Sequence, residues 1–273
     1  MDDRPLGVFD SGVGGLSVLK AIRAELPAED AIYVADSAYA PYGDRPRAFI
    51  EQRSIAIAKF LVHRNIKALV IASNTATGAA VGALREKFDM PIVAMEPAVK
   101  PAALLTKTGT VGVLATTSTL SSEKFHALVD RHGRDVEVLV QPCPGLVERV
   151  EEGDLDGAET RALVERFVRP LLNGGADTLV LGCTHYPFLR RVIEAVAGRG
   201  VAVIDPAVPV AREVRRRLDV AGLLASPRKS GTEEFWSSGE RARAASVMSQ
   251  LWSQPVSVHE LPEARLRILN SEF

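Results

Sequence analysis

The sequence is poor in the features that mark disulfide-rich, metal-binding and nucleic-acid-binding proteins. Its 273 residues include only two cysteines, Cys143 and Cys183, which are too few for a disulfide framework. The five histidines are scattered, and no Cys/His cluster has the spacing of a zinc site. The 33 Lys and Arg balance 34 Asp and Glu, so the charge gives no argument for nucleic acid or an anionic membrane as a partner. We therefore expect no structural metal, no nucleic acid and no membrane partner.

Long apolar runs and a leader sequence are also missing. The longest apolar runs, such as Ala68–Ala72 and Thr178–Leu181, have the length of a strand and are far too short to span a membrane. No long apolar stretch follows residues 1–5, so we expect no signal peptide. The sequence predicts a cytoplasmic protein.

The chain does contain a repeated order of strand, turn and helix. Apolar runs of strand length alternate with segments of helical periodicity. The predicted strands are Leu6–Phe9, Ala31–Ala35, Lys67–Ala72, Pro91–Met95, Thr110–Ala115, Val136–Gln141, Thr178–Gly182 and Val201–Asp205. The predicted helices between them are Leu16–Leu26, Arg47–Arg64, Thr75–Phe88, Ser121–Arg131, Gly145–Glu152, Glu159–Asn173 and Pro187–Ala197. This order indicates an α/β fold with parallel-rich sheets, whose ligands bind at the carboxyl ends of the strands.

Two parts of the chain resemble each other. Gly7–Ser11 is similar to Gly112–Thr116, and Val70–Thr75 is similar to Val180–His185. The spacing between the two segments of each part is also similar. We therefore predict two pseudo-symmetric, doubly wound α/β domains with the active site between them.

The predicted domain limits follow from this repeat and from the prolines near residue 97. Residues 1–97 and 207–273 form the N-terminal domain, and residues 98–206 form the second. The tail contains predicted helices at Pro209–Val220 and Glu240–Trp252 and predicted strands at Glu234–Ser237 and Val256–Glu260. We expect this tail to return to the first domain.

A glycine-rich turn follows the first predicted strand at Asp10–Gly15. The turn lacks the dinucleotide fingerprint G-x-G-x-x-G, because the sixth position counted from Gly12 is Ser17. Its backbone N–H groups can hold an anion. The alternative is that Asp10 and Ser11 only cap the following helix.

Three further segments place polar groups in turns or at strand ends. Pro41–Gly43 is typical of a turn. Ser73–Thr75 offers three consecutive hydrogen-bonding side chains, which exceed the needs of an N-cap and can bind a carboxylate and an amine. Gly182–Pro187 brings Cys183, Thr184 and His185 together, and a nearby histidine favours the reactive thiolate. Cys143 lies between two prolines without such partners, so we interpret it as structural.

Together these segments resemble the glutamate racemase family. The resemblance covers residues 6–222 and rests on Phe9–Leu16, Pro41–Gly43, Asn74–Ala76 and Leu181–Pro187, in the same order. It implies two α/β domains that bind glutamate between them and supply D-glutamate for peptidoglycan without a cofactor. It also implies a homodimer. In this family one cysteine from each domain stands on either face of the substrate Cα, and the acid and base exchange roles with direction.

The resemblance assigns roles to individual residues. Cys183 becomes the base for L-glutamate, His185 tunes that side, and Asp10 plays the matching part in the first domain. Glu148 is expected to be an acidic helper near Cys183. The expected substrate contacts are Asp10, Ser11, Pro41, Tyr42, Gly43, Asn74, Thr75, Thr116, Thr117, Thr119, Thr184 and His185.

The sequence departs from the family pattern at Ser73, where the first catalytic cysteine is expected. A serine hydroxyl is far less acidic than a thiol, whose reference pKa is about 8.5, and needs activation to act as a base. The interpretation is a racemase with a Cys-to-Ser change that removes most of its activity. The change is either deliberate or a natural divergence. Divergence would leave a single-cysteine enzyme similar to the arylmalonate decarboxylases, an aspartate racemase relative, or a glutamate-binding or regulatory protein.

Overall fold

Every strand pair in the structure is parallel. The structure is a computed structural model that describes residues 1–133, 135–228 and 230–262. Its strands in these ranges are β1 Leu6–Asp10, β2 Ala31–Ala35, β3 Ala68–Ile71, β4 Ile92–Ala94, β5 Thr110–Ala115, β6 Glu137–Pro142, β7 Thr178–Leu181, β8 Ala202–Ile204, β9 Glu233–Ser237 and β10 Val258–Glu260. They form a six-stranded and a four-stranded sheet, which confirms the predicted α/β class.

The helices connect successive strands. Over the described residues they are α1 Leu16–Glu25, α2 Arg47–His63, α3 Asn74–Lys87, α4 Val99–Leu105, α5 Thr117–Leu120, α6 Glu123–His132, α7 Leu146–Glu151, α8 Ala158–Asn173, α9 Arg190–Ala197, α10 Ala207–Val220 and α11 Arg241–Trp252. Short 3₁₀ turns lie at Val13–Gly15, Ser37–Tyr39, Tyr42–Asp44 and Tyr186–Leu189. No helix among the described residues is long and apolar enough to cross a membrane.

The two sheets repeat one strand order. The first sheet contains the order β2-β1-β3-β4, and the second has β6-β5-β7-β8. The register aligns Phe9 with Ile71 and Leu114 with Leu181, so the carboxyl ends of each central strand pair lie side by side. One buried apolar cluster includes side chains of both sheets. The equivalent strand ends of the two halves can therefore face a shared site.

The tail adds two strands to the first sheet. Strand β9 pairs with β2 in the register of Tyr33 with Phe235, and β10 pairs with β9. The tail segment up to residue 262 thus extends the six-stranded sheet, while residues 263–273 of the predicted domain lie outside the described part of the chain. The limits of the two domains stay a prediction.

Two helical regions differ from the sequence expectation. Helix α4 lies where the domain boundary is expected. It can form there because Pro101 lies in its first turn, where proline is tolerated. The helix predicted over Ser121–Arg131 corresponds to α6, and the additional short helix α5 precedes it. The side chain of Ser122 accepts a hydrogen bond from the N–H of Phe125, which starts α6 anew.

A buried ion pair fixes the edge of the first half away from the site. The Nζ of Lys67 lies 2.5 Å from the carboxylate of Glu29, and both side chains are almost completely buried. Lys67 also donates to the carbonyl oxygen of Asp2, and Glu29 accepts from the N–H of Ala225. The pair therefore connects the start of β3 with the N-terminus and the tail.

We expect Lys67→Met to destabilise the protein by about 3–5 kcal/mol, because it leaves the Glu29 carboxylate buried without its counter-charge. Urea unfolding measures the loss. Arg169→Met is the control, since it breaks an exposed pair with Glu165 whose contribution is about 0.5 kcal/mol or less. Equal effects of the two substitutions would contradict a structural role for the buried pair.

Candidate active site

The carboxyl ends of the central strands of both sheets meet at one small cavity. It is lined by Ser11, Pro41, Tyr42, Gly43, Ser73, Asn74, Thr75, Thr116, Val147, Gly182, Cys183, Thr184 and His185. Its volume is about 10 Å³, which is room for about one water molecule. The walls must therefore move apart before an organic ligand can enter.

Most of the residues expected to contact substrate line this cavity, and three do not. Asp10 lies behind the wall and bonds to it, Thr119 bonds to Thr75, and Thr117 lines a neighbouring opening. Val147 of α7 lines the cavity as well, and the sequence analysis did not identify it. An apolar residue in an amphipathic helix carries no local signal that separates a cavity wall from a core position.

Asp10 is a fully buried carboxylate at the end of β1. It accepts hydrogen bonds from the N–H groups of Ser11 at 2.6 Å and Gly15 at 2.7 Å, and from the hydroxyl of Thr184 at 2.9 Å. Burial raises the pKa of Asp10, while the positive charge of His185 and hydrogen bonds from Ser73 and Thr184 act in the opposite direction. Asp10 therefore connects the end of β1 in the first sheet to the end of β7 in the second.

The glycine-rich turn holds the protein's own carboxylates. Besides the bond from Gly15 to Asp10, the N–H of Val13 donates to Glu151 at 2.7 Å. A Cβ at Gly12 would lie 1.8 Å from the Glu151 carboxylate, and one at Gly14 would lie 2.3 Å from the His185 ring. The expectation that this turn holds an anion is met by two side chains of the chain itself. The glycines let α7 and His185 approach the turn.

Ser73 is buried at the N-terminus of α3. Its hydroxyl accepts from the N–H of Ala76 at 3.4 Å, which makes Ser73 the N-cap, and it lies near enough to Asp10 to lower the pKa of that carboxyl. Among the hydrogen bonds of the described residues, no lysine or histidine contacts the Ser73 hydroxyl.

Cys183 lies at the carboxyl end of β7, the equivalent strand of the second sheet, and is the first of three polar residues in contact. Its Sγ lies 3.7 Å from Nδ1 of His185, whose Nε2 lies 2.7 Å from the carboxylate of Glu151. Burial alone would lower the pKa of His185, but hydrogen bonds and charge from Cys183 and Glu151 outweigh it and raise the pKa well above its usual value. A protonated His185 places a positive charge beside the Cys183 sulfur.

The acidic partner of His185 is Glu151, and the role of Glu148 as an acidic helper near Cys183 stays a prediction. Both carboxylates belong to α7, one turn apart, so they share a helix face. Glu151 also accepts from the hydroxyl of Ser37 at 3.0 Å. Glu148 lines the neighbouring opening beside Thr117 and Cys143.

Hydroxyl and amide groups from both halves complete the cavity wall. The Nδ2 of Asn74 donates to the carbonyl oxygen of Gly182 at 2.9 Å, while its buried Oδ1 has no hydrogen-bond partner in the described part of the chain. The hydroxyl of Thr75 bonds to those of Thr116 at 3.0 Å and Thr119 at 3.1 Å. The unpaired Oδ1 can accept from an ammonium group, and the three hydroxyls can donate to a carboxylate.

The second cysteine has a different environment. The thiol of Cys143 donates to the carbonyl oxygen of Gln141 at 3.2 Å, and burial raises its pKa far above the ordinary value. Cys143 therefore stays a neutral thiol. Within the described residues, no group of three or more His, Cys, Asp or Glu side chains is arranged to hold a metal ion.

Solved structures similar to this chain include glutamate racemases. A glutamate racemase isoform from Bacillus anthracis superposes with a TM-score of 0.87 at 32% identity, covering 96% of this chain and 98% of that one. The Escherichia coli glutamate racemase in complex with L-glutamate and the activator UDP-MurNAc-Ala superposes with a TM-score of 0.83 at 33% identity, covering 94% and 98%.

The sequence comparisons identify the family. The glutamate racemase of Pseudomonas paraeruginosa is 52% identical over 95% of this chain and 98% of its own length. The model of the Asp/Glu/hydantoin racemase family matches residues 6–214. The chain belongs to the Asp/Glu/hydantoin racemase family.

The contact between Glu151 and His185 predicts a specific titration. We expect His185 to titrate above the ordinary value of 6.5. Glu151→Gln should lower its pKa, because the substitution removes the negative charge at Nε2. NMR of ¹⁵N-labelled histidine side chains measures both values. Glu148→Gln is the matched control and should leave His185 unchanged. A larger shift with Glu148→Gln than with Glu151→Gln would contradict the assignment.

The same contact predicts the sign of a pH effect on stability. Since the pKa of His185 is higher in the folded state, its contribution is fully present below about pH 6.5. The contribution is lost as the pH rises through the raised pKa. The difference in urea stability between the parent and Glu151→Gln should therefore shrink at high pH. A difference that grows with pH would contradict this sign.

Proposed function

We propose that the protein is a glutamate racemase that binds L- and D-glutamate between its two sheets without a cofactor, and that Ser73 stops most of the turnover of the chain as written. The observation that carries the proposal is the pair of equivalent strand ends at one cavity. One presents Cys183 backed by His185 and Glu151, and the other presents Ser73 beside Asp10.

The substrate class follows from the polar groups of the wall and from the relatives. Asn74 Oδ1 is an acceptor for the α-ammonium group, and the Thr75 and Thr116 hydroxyls, with Thr119 behind Thr75, are donors for a carboxylate. None of these groups is residue 73, so glutamate binding does not require a cysteine there. The Escherichia coli relative is a complex with L-glutamate.

The proposed reaction moves the α-proton across the substrate. The Cys183 thiolate takes this proton from L-glutamate, which leaves a carbanion at Cα and a neutral thiol. Inversion requires that a second acid deliver a proton from the opposite face. A cysteine at position 73 would donate from its thiol and become a thiolate, ready to run the reverse reaction.

Ser73 breaks this symmetry. Its hydroxyl is far less acidic than a thiol, and it accepts a hydrogen bond from the N–H of Ala76 as the N-cap of α3. The carbanion formed by Cys183 can then regain a proton only from Cys183, on the face from which it left. The proposed outcome is exchange without inversion.

The biological setting is part of the proposal. D-glutamate is a building block of peptidoglycan, so a racemase that makes it would act in cell-wall synthesis in the cytoplasm. We also propose a homodimer, on the basis of the family resemblance.

Restoring the thiol should restore racemisation. We expect Ser73→Cys to convert both L- and D-glutamate to the racemic mixture, about 10²–10⁴-fold faster than the chain as written. Circular dichroism of each enantiomer follows the reaction. Ser230→Cys is the control, because it adds a thiol at an exposed position. Full racemisation by the chain as written would disprove the role of Ser73, and inactivity of Ser73→Cys would disprove the proposed activity.

The chain as written should exchange the α-hydrogen of one enantiomer only. In D₂O, we expect deuterium to enter L-glutamate with retained configuration, while D-glutamate keeps its hydrogen. Proton NMR and chiral chromatography measure these outcomes. Cys183→Ala should abolish the exchange. Exchange from D-glutamate at a comparable rate would show that position 73 still acts as a base.

A further inference from the structure

The cavity wall contributed by the first half includes a segment with little regular structure. Residues 36–44 connect β2 to α2 and carry Pro41, Tyr42 and Gly43, which line the cavity. The segment contains two single-turn 3₁₀ helices and no strand. Its position therefore depends on side-chain contacts.

The strongest of these contacts converge on Asp36. This carboxylate is completely buried, and it accepts a hydrogen bond from the hydroxyl of Tyr42 at 2.5 Å. Arg53 donates to both of its oxygens, through Nε at 2.9 Å and through a terminal nitrogen at 2.6 Å. Such a bidentate pair fixes direction as well as distance.

Arg53 also holds the other side of the turn. Its guanidinium carbon lies 4.1 Å from the centre of the Tyr39 ring, which is the distance of a cation–π contact. Arg53 lies in the middle of α2 and is nearly buried. One side chain on a regular helix thus contacts Tyr39 directly and Tyr42 through Asp36, on either side of Pro41.

We propose that Arg53 is a positioning residue for the glutamate-binding segment 36–44. This inference rests on the proposed function, because the segment is expected to contact glutamate. Arg53 does not line the cavity and takes no part in proton transfer. It holds the segment against the first half, so that Tyr42 and Gly43 keep their places in the wall when the cavity opens and closes.

The test compares two arginines of similar surroundings. Arg64, at the end of the same helix, pairs with Glu234 and lies 4.1 Å from the centre of the Trp236 ring, away from the cavity. In the Ser73→Cys background, we expect Arg53→Met to raise the KM for L-glutamate at least tenfold and to change kcat less, because the segment supplies binding and neither acid nor base. Arg64→Met should leave the KM within twofold of its parent.

Two further variants separate positioning from general damage. Arg53→Lys keeps the positive charge but cannot form the bidentate pair, so its KM should be intermediate. The double variant Asp36→Asn with Arg53→Met removes the uncompensated buried charge. It should recover thermal stability relative to Arg53→Met alone, while the KM stays high. A KM within twofold of the parent for Arg53→Met, or an equal rise with Arg64→Met, would overturn the proposal.

A readout without substrate keeps the two proposals apart. Hydrogen exchange of the amides of residues 37–44, measured in the chain as written, should become at least tenfold faster in Arg53→Met and should not change in Arg64→Met. Unchanged exchange would overturn the role of Arg53. If Ser73→Cys has no racemase activity, the proposed function fails, and the exchange result still decides whether Arg53 anchors the segment.

Discussion

The carboxylate of Asp10 is the contact on which the geometry of the site depends. It lies at the end of β1, accepts hydrogen bonds from two N–H groups of the glycine-rich turn that follows, and accepts a third from the hydroxyl of Thr184 in the other half. A buried carboxylate is costly unless every lone pair is occupied. The same bonds that satisfy Asp10 therefore hold the carboxyl ends of β1 and β7 in fixed relation.

The carboxylate of Glu151 also connects the two halves of the site. Glu151 reaches from α7 to the N–H of Val13 and to His185, so it connects the first half to the imidazole beside Cys183. The glycines at positions 12 and 14 make room for this approach. The turn therefore has two functions. Its N–H groups donate hydrogen bonds to the carboxylates of Asp10 and Glu151, and its glycines leave the space that Glu151 and His185 occupy.

Much of the fold and of the cavity wall could be predicted from the sequence. Parallel strands buried on both faces are continuous apolar runs, and polar residues such as Ser73 and Cys183 directly after such runs point to the carboxyl edge of a sheet. The strand order within each sheet and the return of the tail to β2 depend on pairing between distant segments. The repeat in the sequence indicates that the two halves are alike, but it does not give the order of the strands within either sheet.

Other features of the site depend on contacts between distant segments, which no local sequence pattern indicates. Glu148 and Glu151 share a face of α7, and only the tilt of that helix against the glycine-rich turn decides which one reaches His185. Arg53 is an ordinary residue of a helix until the fold brings Asp36 and Tyr39 to it. Helix α4 was not predicted because Pro97 before it and Pro101 in its first turn favour a linker when the chain is considered locally.

Position 73 decides what the site can do. A thiol and a hydroxyl have nearly the same shape, so the change from the family pattern leaves the wall intact and removes one acid–base group. The account therefore requires binding without conversion. The most direct measurement is a calorimetric titration of the chain as written with L- and with D-glutamate, followed by chiral chromatography of the recovered ligand. We expect both enantiomers to bind at one site per chain and to be recovered unchanged, whereas absence of binding by both, or recovery of a racemic mixture, would contradict the account.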